Sequence, residues 1–212
     1  MALVKGGIVQ VAPDTGQVLN VIALQYNPDT VTRSLQVQGV GAESGPHVDQ
    51  LRLKGPPIET YKIDVEIDAT DRLEHPDRDP TVKSAGIAPQ IAILELLIYP
   101  SLDQLVQADQ RTRAGSLEIV PMDAPLALFV WNASRIIPVR ITEFSVTEEA
   151  FDASLNPIRA KISLGMRVLS VDDLGFSSLG GSLYLTYQRR KEKLAAGLHG
   201  VALSALGITG IQ

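Results

Sequence analysis

The stretch that decides the fold is LALFVWNASRIIPVRITEFSVTEEAFDASLNPIRAKISLGMRVL, residues 126–169. It holds three extended runs joined by short polar connections. The first is Leu126 to Trp131, and Asn132-Ala133-Ser134 turns the chain. The second runs from Ile136 to about Val146, and the third from Ile158 to Leu169. In the third, Ile158, Ala160, Ile162, Leu164, Met166 and Val168 fall on one side, with Arg159, Lys161, Ser163 and Arg167 on the other. A period of two sustained over such a length is a half-buried strand. In the second run Ile137, Val139 and Ile141 share a phase, whereas Phe144 and Val146 take the opposite one. That slip, near Thr142-Glu143, reads as a bulge or as a strand that bends. Long, bent, antiparallel strands suit a curved sheet or a barrel.

Working outward, the clearest early strand is Glu59 to Asp68. Tyr61, Ile63, Val65 and Ile67 share one face, and Lys62, Asp64, Glu66 and Asp68 the other. Before it, residues 1–12 read as a short strand or arm, Pro13-Asp14-Thr15-Gly16 as a turn, and Val18 to Gln25 as a strand. Asn27-Pro28 interrupts the ladder, and Arg33 to Val40 resumes it. Residues 41–57 read as a glycine- and proline-rich loop rim with a short extended piece at Gln50 to Leu53, and Asp71 to Thr81 as a charged loop. Ser84 to Tyr99 changes period: Ile87, Ile91, Leu94 and Ile98 predict one helix, capped by Ser84 and stopped by Pro100. Ser101 to Gln110 predicts a second, short helix with Leu102, Leu105 and Val106 inward, and Leu117 to Val120 a short strand. Gly180-Gly181 is expected to break the chain, with a helix from Ser182 carrying the basic run Arg189, Arg190, Lys191 and Lys193. These readings predict a mainly β fold, an antiparallel barrel or strongly curved sheets with one main packed helix, over residues 1–175. A helical C-terminal extension would occupy residues 176–212.

Composition narrows the function. Apolar residues make up 45% of the 212, enough for a real core, and the net charge of −5 does not suggest a nucleic-acid binder. There is no cysteine, hence no disulfide or thiolate chemistry. No secretory signal is expected at the N terminus, and no run approaches the roughly 18 apolar residues of a membrane helix. The candidate chemistry lies in an acidic cluster: Asp64, Glu66, Asp68, Asp71, His75, Asp77 and Asp79. Carboxylates so grouped could hold calcium or magnesium, but no EF-hand spacing is present and the loop glycine is missing. A solvated face and an acidic loop is the simpler reading. His47 and His199 stand apart from one another in sequence, and no nucleophile elbow, P-loop or dinucleotide fingerprint occurs. The residues themselves mark no particular catalytic, metal or cofactor site. Glu148-Glu149 reads either as a strand connection or as one helical turn capped by Thr147. In the sharper form it is an acidic knob that mates with Arg159, Lys161 or Arg167 of another subunit. The apolar residues Leu203, Leu206 and Ile208 form a tail that is either docked on a neighbour or frayed.

An ordered set of motifs also carries a family resemblance. It comprises Leu24-Gln25-Tyr26-Asn27-Pro28, Thr30-Val31-Thr32-Arg33-Ser34, Ile67 to Asp71, Leu94 to Pro100, Phe129-Val130-Trp131, Ile137 to Ile141, Glu148 to Asp152 and Leu155 to Ala160. The set resembles the tube-related baseplate hub adaptors of contractile injection systems, the phage-tail-like particles, over about residues 20–190. The resemblance implies a tail-tube fold and a ring of six copies that joins a central spike to an inner tube. The implied partners are further copies of the chain, a spike protein, an inner-tube or tube-initiator protein and baseplate wedge proteins, with no nucleic acid and no membrane insertion. Assembly would begin in the cytoplasm and end in the baseplate of a particle. Many relatives continue into a LysM domain, and here the segment after Leu194 is too short for one, so that module is expected to be missing. An inner-tube subunit or tube initiator is the nearest alternative. A ligand- or peptide-binding module around His47 and His75, and a metal-dependent hydrolase on the 64–79 cluster, are the others. In the ring reading Asp64, Glu66, Asp68, Glu148, Glu149, Arg159, Lys161, Arg167, Leu203, Leu206 and Ile208 are the expected interface residues.

Overall fold

The computed structural model describes residues 4–39, 52–74, 79–113, 124–198 and 203–209. Its centre is the antiparallel ladder of β4 (Ile58–Asp68), β7 (Pro157–Val168) and β6 (Arg135–Phe151). Alternation sets the layering. Tyr61, Ile63, Val65 and Ile67 of β4 and Ala160, Ile162, Leu164 and Met166 of β7 are all buried on one side, while the charged residues between them face out. β6 slips register between Ile141 and Glu143, the bulge expected from its change of phase, and Gly165 of β7 lies opposite. A Cβ on Gly165 would stand 2.9 Å from that of Glu143. β5 (Leu126–Asn132), β1 (Gly7–Val11) and β2 (Val18–Ala23) extend the sheet on one side, and β3 (Val31–Gln36) ends it on the other. The strand order is β2-β1-β5-β6-β7-β4-β3.

This corrects the expected barrel. The fold is a mixed α/β one, and its seven-stranded sheet is open: among the described residues no ladder joins edge β2 to edge β3. The physical reason lies in what fills the core. Ile87, Ile91 and Leu94 belong to the same buried cluster as Ile22 of β2, Leu24 just after it, and Val65 and Ile67 of β4. Helical side chains thus cover apolar surface that closure of the sheet would otherwise have covered. The Gln25 side chain, just after β2, hydrogen-bonds to the end of β4. Its amide donates to the Asp68 carbonyl at 2.6 Å, and its oxygen accepts from the Asp68 N–H at 3.1 Å.

The helices also depart from expectation, there being several rather than one main one. The single helix over Ser84 to Tyr99 is two, α2 (Pro80–Ala85) and α3 (Ala88–Glu95), with α1 (Thr70–Leu73) before them in the expected charged loop. Asp79, not Ser84, caps α2, accepting from the Val82 N–H at 3.3 Å. Gly86 separates the two helices with φ +57°, and a Cβ there would lie 2.0 Å from the Pro157 carbonyl oxygen. Ile98 is exposed rather than inward. α4 (Leu102–Arg113) buries none of its residues, so Leu102, Leu105 and Val106 face out. Gly180-Gly181 does not break the chain. After α5 (Val171–Leu174), the pair lies buried in the first turn of α6 (Leu179–Ala196), where a Cβ on Gly181 would meet the Gly175 carbonyl at 1.9 Å. Glu148-Glu149 forms no helical turn, because β6 runs on to Phe151 through two further register shifts. The expected strand Leu117 to Val120, His47, His75, Asp77 and His199 lie outside the described residues. Of the piece expected at Gln50 to Leu53, the described part makes one isolated bridge, Gly39 to Leu53.

Gly86→Ala combines a disfavoured backbone angle with a collision against a carbonyl that accepts the Ile87 N–H at 2.8 Å. It is expected to cost at least about 2 kcal/mol in urea denaturation. An unchanged midpoint would show that the α2–α3 joint relaxes freely.

Candidate functional site

All the expected interface charges but Glu148 lie on the outward face of β4, β7 and β6, and the three cations among them, Arg159, Lys161 and Arg167, each meet a carboxylate of the same chain. Register places Asp68 opposite Arg159, Glu66 opposite Lys161 and Asp64 opposite Ser163. The Arg159 Nε lies 3.1 Å from the Asp68 carboxylate, and Lys161 Nζ lies 2.8 Å from Glu149. Arg167 turns to Asp173, with Nη2 donating at 2.8 Å. The acidic knob expected to seek another subunit's cations thus meets one of them in its own chain. Glu148 lies opposite Ala160 and is exposed. The Thr70 hydroxyl and N–H, with a smaller contribution from Arg159, hold the Asp68 carboxyl below its usual range. Glu149 raises the Lys161 ammonium. Asp71 lies in α1, and Asp79 caps α2 and lies 3.7 Å from Arg72. Among the described residues no three His, Cys, Asp or Glu side chains converge where they could hold a metal ion. Leu206 and Ile208 are exposed at and just beyond a single 3₁₀ turn, Leu203–Leu206.

A second polar cluster escaped sequence reasoning, and it is buried. Glu59 is only 2% exposed, at the start of β4. Its Oε1 accepts from the Tyr187 hydroxyl at 2.7 Å and the Tyr61 hydroxyl at 3.1 Å, and the two hydroxyls lie 2.8 Å apart. Oε2 accepts from Lys191 Nζ at 3.0 Å, and Nζ also lies 4.0 Å from the centroid of the Tyr187 ring. Arg33, on edge β3, brings Nη1 to 3.8 Å from Oε1. Burial raises the Tyr61 hydroxyl, and burial reinforced by the bonds to Tyr61 and Glu59 raises that of Tyr187, so both stay protonated donors. A signal did exist. Glu59 falls in the phase of Tyr61, Ile63, Val65 and Ile67, and Tyr187 and Lys191 are spaced i, i+4 on one helix face. A carboxylate in core phase demands partners.

The third feature is the pair of sheet edges. β2 reads VLNVIA, without a charge or a proline, and exposes Val18 by 55% and Val21 by 65%. Alongside it runs a groove of about 580 Å³, lined by Gln10 and Asn20 on the sheet side and by residues 96–101 and Gln104 on the other. Leu96, Ile98, Tyr99, Leu102, Leu105 and Val106 leave an apolar surface at that α3–α4 corner. The other edge, β3, buries none of its residues, and Leu35, Val37 and Leu53 near it are exposed.

No protein-family model and no curated protein matches this chain. Among solved structures it is similar to a chain of the tail of an empty GTA particle, computed with helical refinement in C6 symmetry. The identity is 12%, the TM-score is 0.30, and the match covers 77% of this chain and 90% of that one. This is a weak, partial likeness to a component of a tail particle, too slight to carry a functional argument.

Asp68 supplies a pH-dependent prediction. Its folded carboxyl titrates below the unfolded value of about 3.9, so its contribution is present above that pH and is lost as pH falls through the lowered value. Asp68→Asn should therefore cost about 1 kcal/mol or less near neutral pH, with the gap from wild type closing below about pH 4. A gap that stays constant to pH 2 in urea titrations would assign the loss to packing.

Proposed function

We propose that the chain is a structural, self-assembling ring component of a phage-tail-like particle, with no catalytic role. The observation that carries this reading is the open sheet, whose β2 edge has neither charge nor proline and, among the described residues, no strand paired to its outer side. A long edge strand without charge, proline or cover is a template for another chain, and natural monomers blunt such edges. β2 of one copy meeting β3 of the next would continue the sheet head to tail, and a head-to-tail contact that closes makes a ring. Nine large apolar side chains on β2 and the α3–α4 corner are each roughly half exposed or more. Together they present on the order of 800 Å², about what one partner of a standard interface buries.

The ordered motif set supports the finer role, a six-fold adaptor in the baseplate hub between a central spike and the inner tube. An inner-tube subunit of the same machine is the nearest alternative. Arg159 and Lys161 keep much of their surface exposed while paired, so the outward face remains available to a neighbouring ring.

Mass by light scattering, with and without spike and tube proteins, tests the reading. A hexamer, alone or on mixing, is expected. Val18→Lys with Val21→Lys should abolish it while leaving the melting temperature within a few degrees, since both side chains are exposed. A wild-type chain that stays monomeric beside both partners would overturn the proposal.

A further inference from the structure

The Glu59 cluster draws on three elements: β4 in the ladder, α6 on the core, and β3 at the sheet edge. We infer that it is a latch coupling the placement of the second half of α6 to the order of the β3 edge.

Both elements are otherwise thinly held. In α6 the buried residues are Gly180, Gly181, Tyr184 and Tyr187, and none beyond Tyr187 is buried. Leu179 and Leu183 anchor the first half to an apolar cluster with Leu126 and Leu128. The second half is fastened by Tyr187, which is buried in the main apolar cluster and donates to Glu59, by Lys191 to Glu59, and by Arg190 donating to the Ala133 carbonyl at 2.8 Å. Leu194, a turn further on, is 78% exposed. Among the described residues β3 pairs with β4 alone, and of its side chains Val31 is partly buried against the core and none is fully buried. Its Arg33 is the β3 cation that reaches the cluster.

The two elements therefore lean on one carboxylate, and that carboxylate is nearly inaccessible to water. Removing either cation leaves the Glu59 charge less compensated where solvent cannot replace the lost partner. The remaining members must shift or open to hydrate it, so a change begun in one element is felt in the other. Linkage extends the consequence: a chain that orders β3 tightens α6, and whatever holds α6 orders β3. That last step rests on the docking role proposed for the edges, whereas the coupling itself does not.

Amide hydrogen exchange tests it, in the full chain carrying Val18→Lys and Val21→Lys, at a concentration where light scattering gives a monomer, so that assembly plays no part. Arg33→Met should raise exchange across residues 187–196 about tenfold, and Lys191→Met should raise it across 31–36 by a similar factor. The double variant should show less than the product of the two. Lys193→Met, at an exposed neighbour, is expected to do neither, and Arg33→Lys, which keeps the charge, should restore most of the protection of α6. Effects confined to the mutated element would overturn the latch. So would a uniform rise that includes β6 and β7, since that reports global stability alone.

Discussion

Everything in this molecule hangs on the register of β4 against β7. Nine residues of β4, Thr60 to Asp68, face nine of β7, Arg167 to Arg159, without a slip. Because side chains alternate, that one alignment puts Tyr61, Ile63, Val65 and Ile67 beside Met166, Leu164, Ile162 and Ala160. The same alignment stacks Asp68 on Arg159 and Glu66 on Lys161 on the far face. A shift of β4 by a single residue would drive Lys62, Asp64, Glu66 and Asp68 into the core. The hydrophobic face therefore sets the register, and the ion pairs follow from it.

Against that frame the buried carboxylate of Glu59 looks out of place. It occupies a position in core phase where an isoleucine would satisfy the pattern. Buried ion pairs are poor contributors to net stability, since desolvation cancels most of the attraction. What such a group imposes is geometry. Tyr187 and Tyr61 must meet one oxygen and Lys191 the other, and only one placement of α6 does both. An apolar contact there would tolerate a helix sliding by part of a turn.

Much of this was readable from residue order. The alternating runs of β4 and β7, the hairpin turns and the change of phase at Thr142-Glu143 all report local sterics, which sequence expresses directly. The misses share one cause. Gly86 interrupts a helical period that Ile87, Ile91 and Leu94 otherwise continue, and it does so because Pro157, distant in sequence, presses its carbonyl there. Gly180 and Gly181 look like breakers, yet they lie in a helix because α5 approaches too closely for a side chain. The open sheet has the same origin: whether edges meet depends on what fills the space between them, and α3 fills it. Of the candidate site residues, sequence found the charged face but not that it would be paired internally. It overlooked Glu59 because two of its partners, Tyr187 and Lys191, lie on another element more than a hundred residues away.

The strand order also dictates a timetable. β6 and β7 are joined by the tight Asp152 to Asn156 turn, in which the Asp152 carboxylate accepts from the Ser154 and Asn156 amides. That hairpin can form in microseconds from neighbouring residues. β4 and β1, by contrast, have their partners β7 and β5 roughly 100 residues further along the chain. As the ribosome delivers the N-terminal half first, β1 can pair with β2 and β3 with β4, but the two pairs have nothing to join them until the hairpin arrives. The apolar face of β4 therefore waits for its cover until residues 126–168 have left the exit tunnel. Truncations that stop short of them should yield aggregates rather than a smaller folded domain.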